Sequence, residues 1–363
     1  MSSDLENRIR YAQSIDTVVT DGRGVNTAIG TLAGEAAQQE AMRSDMRLAT
    51  WAPEPWSRVP SVTASDTTYY DRPLLKPSVW GIDIPLYYFL GGAAGAALSL
   101  GAAVQLIVPR EDGDLRRFSA ICHWIGIIGS TAGAALLIHD LGRPSRFLFM
   151  LRVFRPTSPM NMGSWILSAA APSAIATGLL LNREGILGTI GEISGYISGL
   201  FGAALATYTG VLASNTAIPI WQESRRWMPF LFASSGAATA GSLLEMLYTG
   251  SEGRWIARIF GTVGRATEIV AARQVEHAAS RIPKVGEPMH HGRPALLWKT
   301  AAVLTVASLT VSLIPAKSRR KTFAAGLLGI AGSLCMRFAV HYIGNASARD
   351  PRAVFAHQRG AGA

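Results

Sequence analysis

The chain has 363 residues and a formal net charge of +10, yet only 16% of its residues are charged and 49% are hydrophobic. Soluble domains carry about 25% charged residues, and the charges here are bunched, which excludes an ordinary soluble domain. Two cysteines without a CxxC or other cluster exclude an iron–sulfur cluster held by this chain alone and give no disulfide framework.

Residues 1–79 carry 8 basic and 10 acidic side chains, so the positive charge belongs to the rest of the chain. Loop arginines facing lipid headgroups and partner proteins account for that excess better than nucleic acid does. Ser3–Val18 and Val25–Leu48 have helical composition, separated by a break at Gly22–Gly24. Trp51–Trp80 is rich in Pro, Ser, Thr and aromatics and reads as an extended strap on a partner or the membrane surface, or as a linker. The opening residues carry charges and no compact apolar region, so no cleavable signal peptide is expected.

From there the chain is organised by stretches free of Asp, Glu, Lys and Arg: 84–109, 118–138, 156–182 and 193–222, with shorter ones at 227–244, 300–316 and 322–336. A helix needs about 20 residues to cross the hydrocarbon core of a bilayer. The first span is expected from Asp83 to just before Arg110, with Gly91 and Gly95 forming a GxxxG pair that lets backbones approach closely. Further spans are expected at Phe118–His139, Asn161–Leu181, Ser194–Ser214, Trp227–Tyr248, Ala295–Ile314 and Thr322–Tyr342. Trp255–Ser280 keeps helical spacing of apolar residues but is interrupted by Arg258, Arg265, Glu268, Arg273 and Glu276. It reads either as an interfacial helix or as a polar span shielded inside a bundle; the latter makes eight spans. The fold class is therefore all-α, a polytopic membrane protein with a soluble N-terminal extension (1–79), a transmembrane domain (80–345) and a C-terminal tail (346–363). With the N-terminus inside, inner loops and the tail carry twelve Lys and Arg against nine outside, which favours a cytoplasmic N-terminus in a cell membrane.

Ionisable groups within spans are costly and tend to be functional. The second span ends on His139-Asp140, and Arg143, Arg146, Arg152 and Arg155 follow in the next loop. Arg143 stands three residues beyond Asp140, in pairing register if the helix continues. An Asp beside a His at the mouth of an apolar region suits a redox carrier that moves protons with its electrons, as a quinone does; the alternative is an interfacial anchor in which Asp140 and Arg143 form a salt bridge. The first span begins on the same membrane face with Trp80, Asp83 and Tyr87, the last two four residues apart on one helical face. Tyr208 places a phenol in the apolar fourth span, where it can donate to a quinone carbonyl or to a neighbouring helix. Glu245, Glu268, Arg337 and His341 are further intramembrane candidates for a proton relay or for buried ion pairs. His123, His277, His290 and His291 do not form the two-imidazole arrangement a haem needs, and no metal-ligand set is visible.

"HDLGRPSRF" followed by "PTSPMNMGSWIL" (156–167) resembles the NrfD/PsrC family of polysulfide-reductase-type membrane subunits. "YYFLGGAAGA" (87–96), "YTGVLASNTAIPIW" (208–221), "PFLFASSGAATAG" (229–241) and "RFAVHYIGNASARDP" (337–351) are similar to it in order along the chain. The resemblance implies two four-helix bundles forming a haem-free, quinone-reactive anchor. It also implies a ferredoxin-like iron–sulfur partner and, through that partner, a molybdopterin or other redox catalytic subunit. Asp140, Arg143 and Tyr208 fall on motif positions that the family places around the quinol site; His139, Asp83 and Tyr87 are added from helix geometry, with His139 or Asp140 as proton acceptor. Arg146, Arg152 and Arg155 are expected to grip the iron–sulfur partner. The competing readings are a proton-conducting or transporter-type subunit and a passive anchor without a quinone site.

Overall fold

The structure, a computed structural model, describes residues 73–109, 112–315 and 318–360, together with two short strand segments near the N-terminus. The chain separates into two units, 1–67 and 68–363. In the first, Val25–Asn26 pairs antiparallel with Thr31–Leu32. A strand pair thus stands where helical composition begins at Val25, and the rest of Val25–Leu48 lies outside the described residues. The helix expected over Ser3–Val18 lies outside the described residues.

The second unit is helical. We label its helices α1 (Asp83–Ile107), α2 (Gly113–Asp140), α3 (Ser145–Met150), α4 (Pro159–Leu180), α5 (Gly185–Ser214), α6 (Pro219–Glu223), α7 (Met228–Leu247), α8 (Ser251–Ser280), α9 (Pro283–His290), α10 (Gly292–Leu313), α11 (Arg319–Arg349) and α12 (Pro351–Gly360). Seven of these, α1, α2, α4, α5, α7, α10 and α11, are long and apolar enough to cross a membrane, and the protein is a multi-pass membrane protein. The eighth long helix is α8. Its 30 residues reach about 45 Å, and it runs beside α7 with Arg265 and Glu268 buried while Arg258 and Arg273 face outward. Arg265 and Glu268 are therefore shielded inside the helix assembly while the other charges of the segment are not buried, and together they keep it below the apolarity of the other seven.

Helices α1, α2, α4 and α5 pack as one four-helix bundle, and α7, α8, α10 and α11 as a second. The two meet along α1, α7 and α11. Helix α1 can sit at that junction because the buried run from Gly91 to Ala97 is all glycine and alanine. A side chain at Gly95 would begin 2.3 Å from the Gly202 carbonyl oxygen, so the α1 and α5 backbones nearly touch. Without a hydrophobic drive between helices in lipid, such close approach supplies much of the association. The outward faces carry Leu106, Ile128, Leu200, Val303 and Leu327, all exposed, as a lipid-facing coat requires.

Of the strap expected over Trp51–Trp80, residues 51–72 lie outside the described residues, and the described end packs against the helices. Residues 73–81 form no helix or strand, and Ser78 bonds Asn345 Oδ1 through both its backbone N–H (3.0 Å) and its hydroxyl (2.6 Å). Trp80 stacks on Trp221 with ring centroids 5.9 Å apart, and the Trp221 indole N–H donates to the Val340 carbonyl at 3.0 Å. The start of α1, the α6 turn and the end of α11 are thereby fastened together at one end of the assembly. On the opposite end, Arg116 and Glu192 pair at 2.6 Å and join α2 to α5.

Candidate functional site

Because α1 starts where α2 and α5 end, the three helices bring their terminal polar residues to one membrane face. Asp83 is the first residue of α1 and His139 the penultimate residue of α2. His139 Nδ1 lies 3.0 Å from Asp83 Oδ2, with the imidazole 79% exposed and the carboxylate 27% exposed. Asp140 is half-buried beside them, its Oδ1 4.0 Å from where a side chain would begin at Gly81. One turn deeper, the hydroxyls of Tyr87 on α1 and Tyr208 on α5 are in direct contact, and both residues are buried. Gly163 on α4 makes room for this pair: a side chain there would begin 2.2 Å from the Tyr208 ring. Asp83 and His139 thus meet at this face, and Tyr87 and Tyr208 meet one turn deeper along α1.

Arg143 stands differently. Helix α2 stops at Asp140, and Gly142 takes a left-handed backbone (φ +68°) that redirects the chain, so the helical register linking Asp140 to Arg143 is broken. Arg143, Arg146, Arg152 and Arg155 are all exposed on the following loop. That loop also exposes Leu148, Phe149, Val153 and Phe154, a mixture of basic and apolar groups suited to an interface. Asn161 holds its shape: its amide donates to the carbonyls of Met150 (2.5 Å) and Val153 (2.8 Å), and its oxygen accepts from the Arg155 N–H (2.7 Å).

Tyr88, not singled out by the sequence reading, connects the two bundles. It is fully buried between Trp80 and Phe232, with ring centroids at 6.3 and 5.5 Å, and among the described residues its hydroxyl has no hydrogen-bond partner. It interacts electrostatically with Asp140 on one side and Arg337 on the other. The Arg337 guanidinium lies 4.0 Å over the Phe232 ring and donates to the Phe232 carbonyl at 2.7 Å. Beyond it, Glu268 is buried close to Arg337, Arg265, Ser235 and Ser333, although neither carboxylate oxygen reaches hydrogen-bond geometry with any of them. Arg265 in turn pairs with Glu245 at 3.3 Å and donates to Ser242 Oγ at 2.9 Å. His341 Nε2 is 3.1 Å from the Asn345 amide, and His123 is a core residue held between Gln105 (3.3 Å) and Ser198 (3.4 Å).

Chemically, the first-bundle cluster offers a water-facing imidazole–carboxylate pair, a second carboxylate and buried phenols below them. The two phenols in contact use one of their two protons between themselves and keep the other for an outside acceptor. The cluster thus gathers proton donors and acceptors at one end of α1, α2 and α5. Two cavities lie elsewhere, in the second bundle: one of about 540 Å³ between the start of α7, the end of α8 and α12, and one of about 160 Å³ between α8, α10 and α11.

Residues 73–254 match the family model described as "Polysulphide reductase, NrfD". No curated protein matches the chain.

Proposed function

Since the chain belongs to the NrfD polysulphide reductase family, we propose that it is the haem-free membrane subunit of a respiratory oxidoreductase complex. In this reading it exchanges electrons and protons between membrane quinone and a partner iron–sulfur subunit. The observation that supports this most directly is the convergence of Asp83, His139 and Asp140 above Tyr87 and Tyr208 at one end of α1, α2 and α5. A quinol supplies two electrons and two protons when bound there. Tyr208 and Tyr87 hold a headgroup oxygen through the phenolic proton that their mutual contact leaves over. Asp140 takes a proton at its carboxylate, and His139 passes protons onward to the water that reaches its exposed imidazole. Asp83 orients His139 through Nδ1. The iron–sulfur subunit receives the electrons and docks on the basic loop that carries Arg143, Arg146, Arg152 and Arg155, while Asn161 keeps that loop in shape. The experiment is saturable binding of a quinol-analogue inhibitor to the purified complex, measured beside the Tyr208→Phe and Tyr87→Phe chains. Weaker binding in both variants is expected; an unmodified complex that binds no analogue reduces the subunit to a passive anchor.

A second reading rests on the buried series Tyr88, Arg337, Glu268, Arg265 and Glu245, which crosses the second bundle from the site face towards the opposite one. Ionisable groups at such depth mark proton routes in membrane proteins. The reading is tested by proton uptake into liposomes during quinone-linked turnover. Glu268→Gln should abolish proton movement while leaving electron transfer in place; equal proton yields in both chains would reject it.

A further inference from the structure

We propose that the 540 Å³ cavity in the second bundle is a binding site for the phosphate headgroup of an anionic phospholipid, a site separate from the quinone cluster. Its lining carries three guanidinium groups, with Arg225 and Arg226 preceding α7 and Arg281 capping the end of α8, and the imidazoles of His277 and His357 stand beside them. The one carboxylate in the lining, Glu223, is taken by His357, with Nδ1 2.8 Å from Oε1. Among the described residues, no carboxylate pairs with Arg226 or Arg281. Arg225 is aimed by Gln222: in the amide orientation that satisfies both groups, Gln222 donates to the Ser214 carbonyl at 2.8 Å and accepts from Arg225 at 3.2 Å. That contact occupies one edge of the guanidinium and leaves the remaining donors for a ligand. Guanidinium groups in such a cluster match the paired oxygens of a phosphate.

The surroundings select the source of the phosphate. The cavity lies where α7 begins and α8 ends, at the depth at which spans leave the hydrocarbon. Trp227 lines it, and Phe230, three residues further into α7 on the same face, is 64% exposed with its ring centroid 6.1 Å from that of Trp227. A cationic hollow above an exposed aromatic ledge one turn deeper is the complement of an amphiphile, with its headgroup in the hollow and its acyl chain along the ledge. A soluble anion has no use for the ledge, and a partner protein docking from the water side does not reach it.

The test uses the full chain, purified in its complex, stripped of lipid and titrated with phosphatidylglycerol or phosphatidylcholine while binding is read by native mass spectrometry. Phosphatidylglycerol should bind at least tenfold more tightly at low salt, with the preference shrinking as salt rises. The Arg225→Gln/Arg226→Gln/Arg281→Gln chain should lose the preference, and Phe230→Ala should weaken binding of the lipid but not of glycerol phosphate. Equal affinity for the two lipids in the unmodified chain would overturn the proposal, whatever the variants do. Glycerol phosphate competing as well as the intact lipid would place a soluble anion there instead. Loss of the partner subunit from the triple variant with lipid preference intact would make the patch a protein-docking surface.

Discussion

Replacing Tyr208 by Phe removes one of the two hydroxyls that meet between α1 and α5. Tyr87 is 1% exposed, so water cannot substitute for the lost partner, and its O–H is left unsatisfied. An unmet buried hydroxyl costs about 1–3 kcal/mol, whereas interhelical hydrogen bonds in lipid average about 0.6 and reach about 1.7 kcal/mol. The expected loss of stability is therefore about 1 kcal/mol for either single Phe substitution. The Tyr87→Phe/Tyr208→Phe chain should lose less than the sum, because neither partner is left stranded. The same pair is assigned to a headgroup oxygen, and about 1.4 kcal/mol of lost transition-state stabilisation lowers kcat/KM about tenfold. The assay pairs thermal unfolding in detergent with quinol-linked turnover of the assembled complex for all four chains. Additive stability losses would refute the contact, and unchanged turnover in both single variants would refute its part in the chemistry.

Gly163→Ala should reproduce the turnover defect of Tyr208→Phe with assembly retained, since the new methyl begins 2.2 Å from the Tyr208 ring; turnover and subunit stoichiometry measured together check this. Asn161→Ala removes three hydrogen bonds that shape the basic loop; limited proteolysis should cut within 143–158 faster, and the iron–sulfur subunit should dissociate more readily on gel filtration. Arg265→Ala leaves the buried Glu245 only its longer contact to Arg258 (3.8 Å) and should cost about 3 kcal/mol, the low end for breaking a buried pair. Melting measurements should show Glu245→Gln/Arg265→Met recovering most of that loss.

Much of the architecture was legible because lipid imposes a rule on the chain: a helix face in hydrocarbon carries no charge, so gaps between charged residues outline the spans. The rule weakens where a helix hides its charges inside the assembly. Arg265 and Glu268 on α8 look the same in the sequence whether they lie at an interface or pack against α7 and α11, and only the partner helices decide. The convergence of Asp83, His139 and Tyr208 was readable from span ends alone, because consecutive spans alternate direction and return their ends to one face. The helical register from Asp140 to Arg143 depended on α2 continuing, and the left-handed turn at Gly142 ends it. Tyr88 went unnoticed because it lies next to Tyr87 but points to the other bundle, towards an arginine 249 residues away in the chain. Asn161 gave no signal, since its role depends on where two carbonyls and one amide of a loop come to rest. The cationic cavity joins segments around 222–227, 274–281 and 357, whose proximity no spacing in the sequence announces.

The central claim is that the carboxylate ending α2 carries protons for a lipid-soluble redox carrier. Quinone-linked turnover of the complex bearing Asp140→Asn, at unchanged subunit stoichiometry and analogue binding, measures this directly. A positioned acid or base contributes about 100-fold or more to rate, so turnover should fall by about that factor. An assembled Asp140→Asn complex turning over at the unmodified rate would contradict the account.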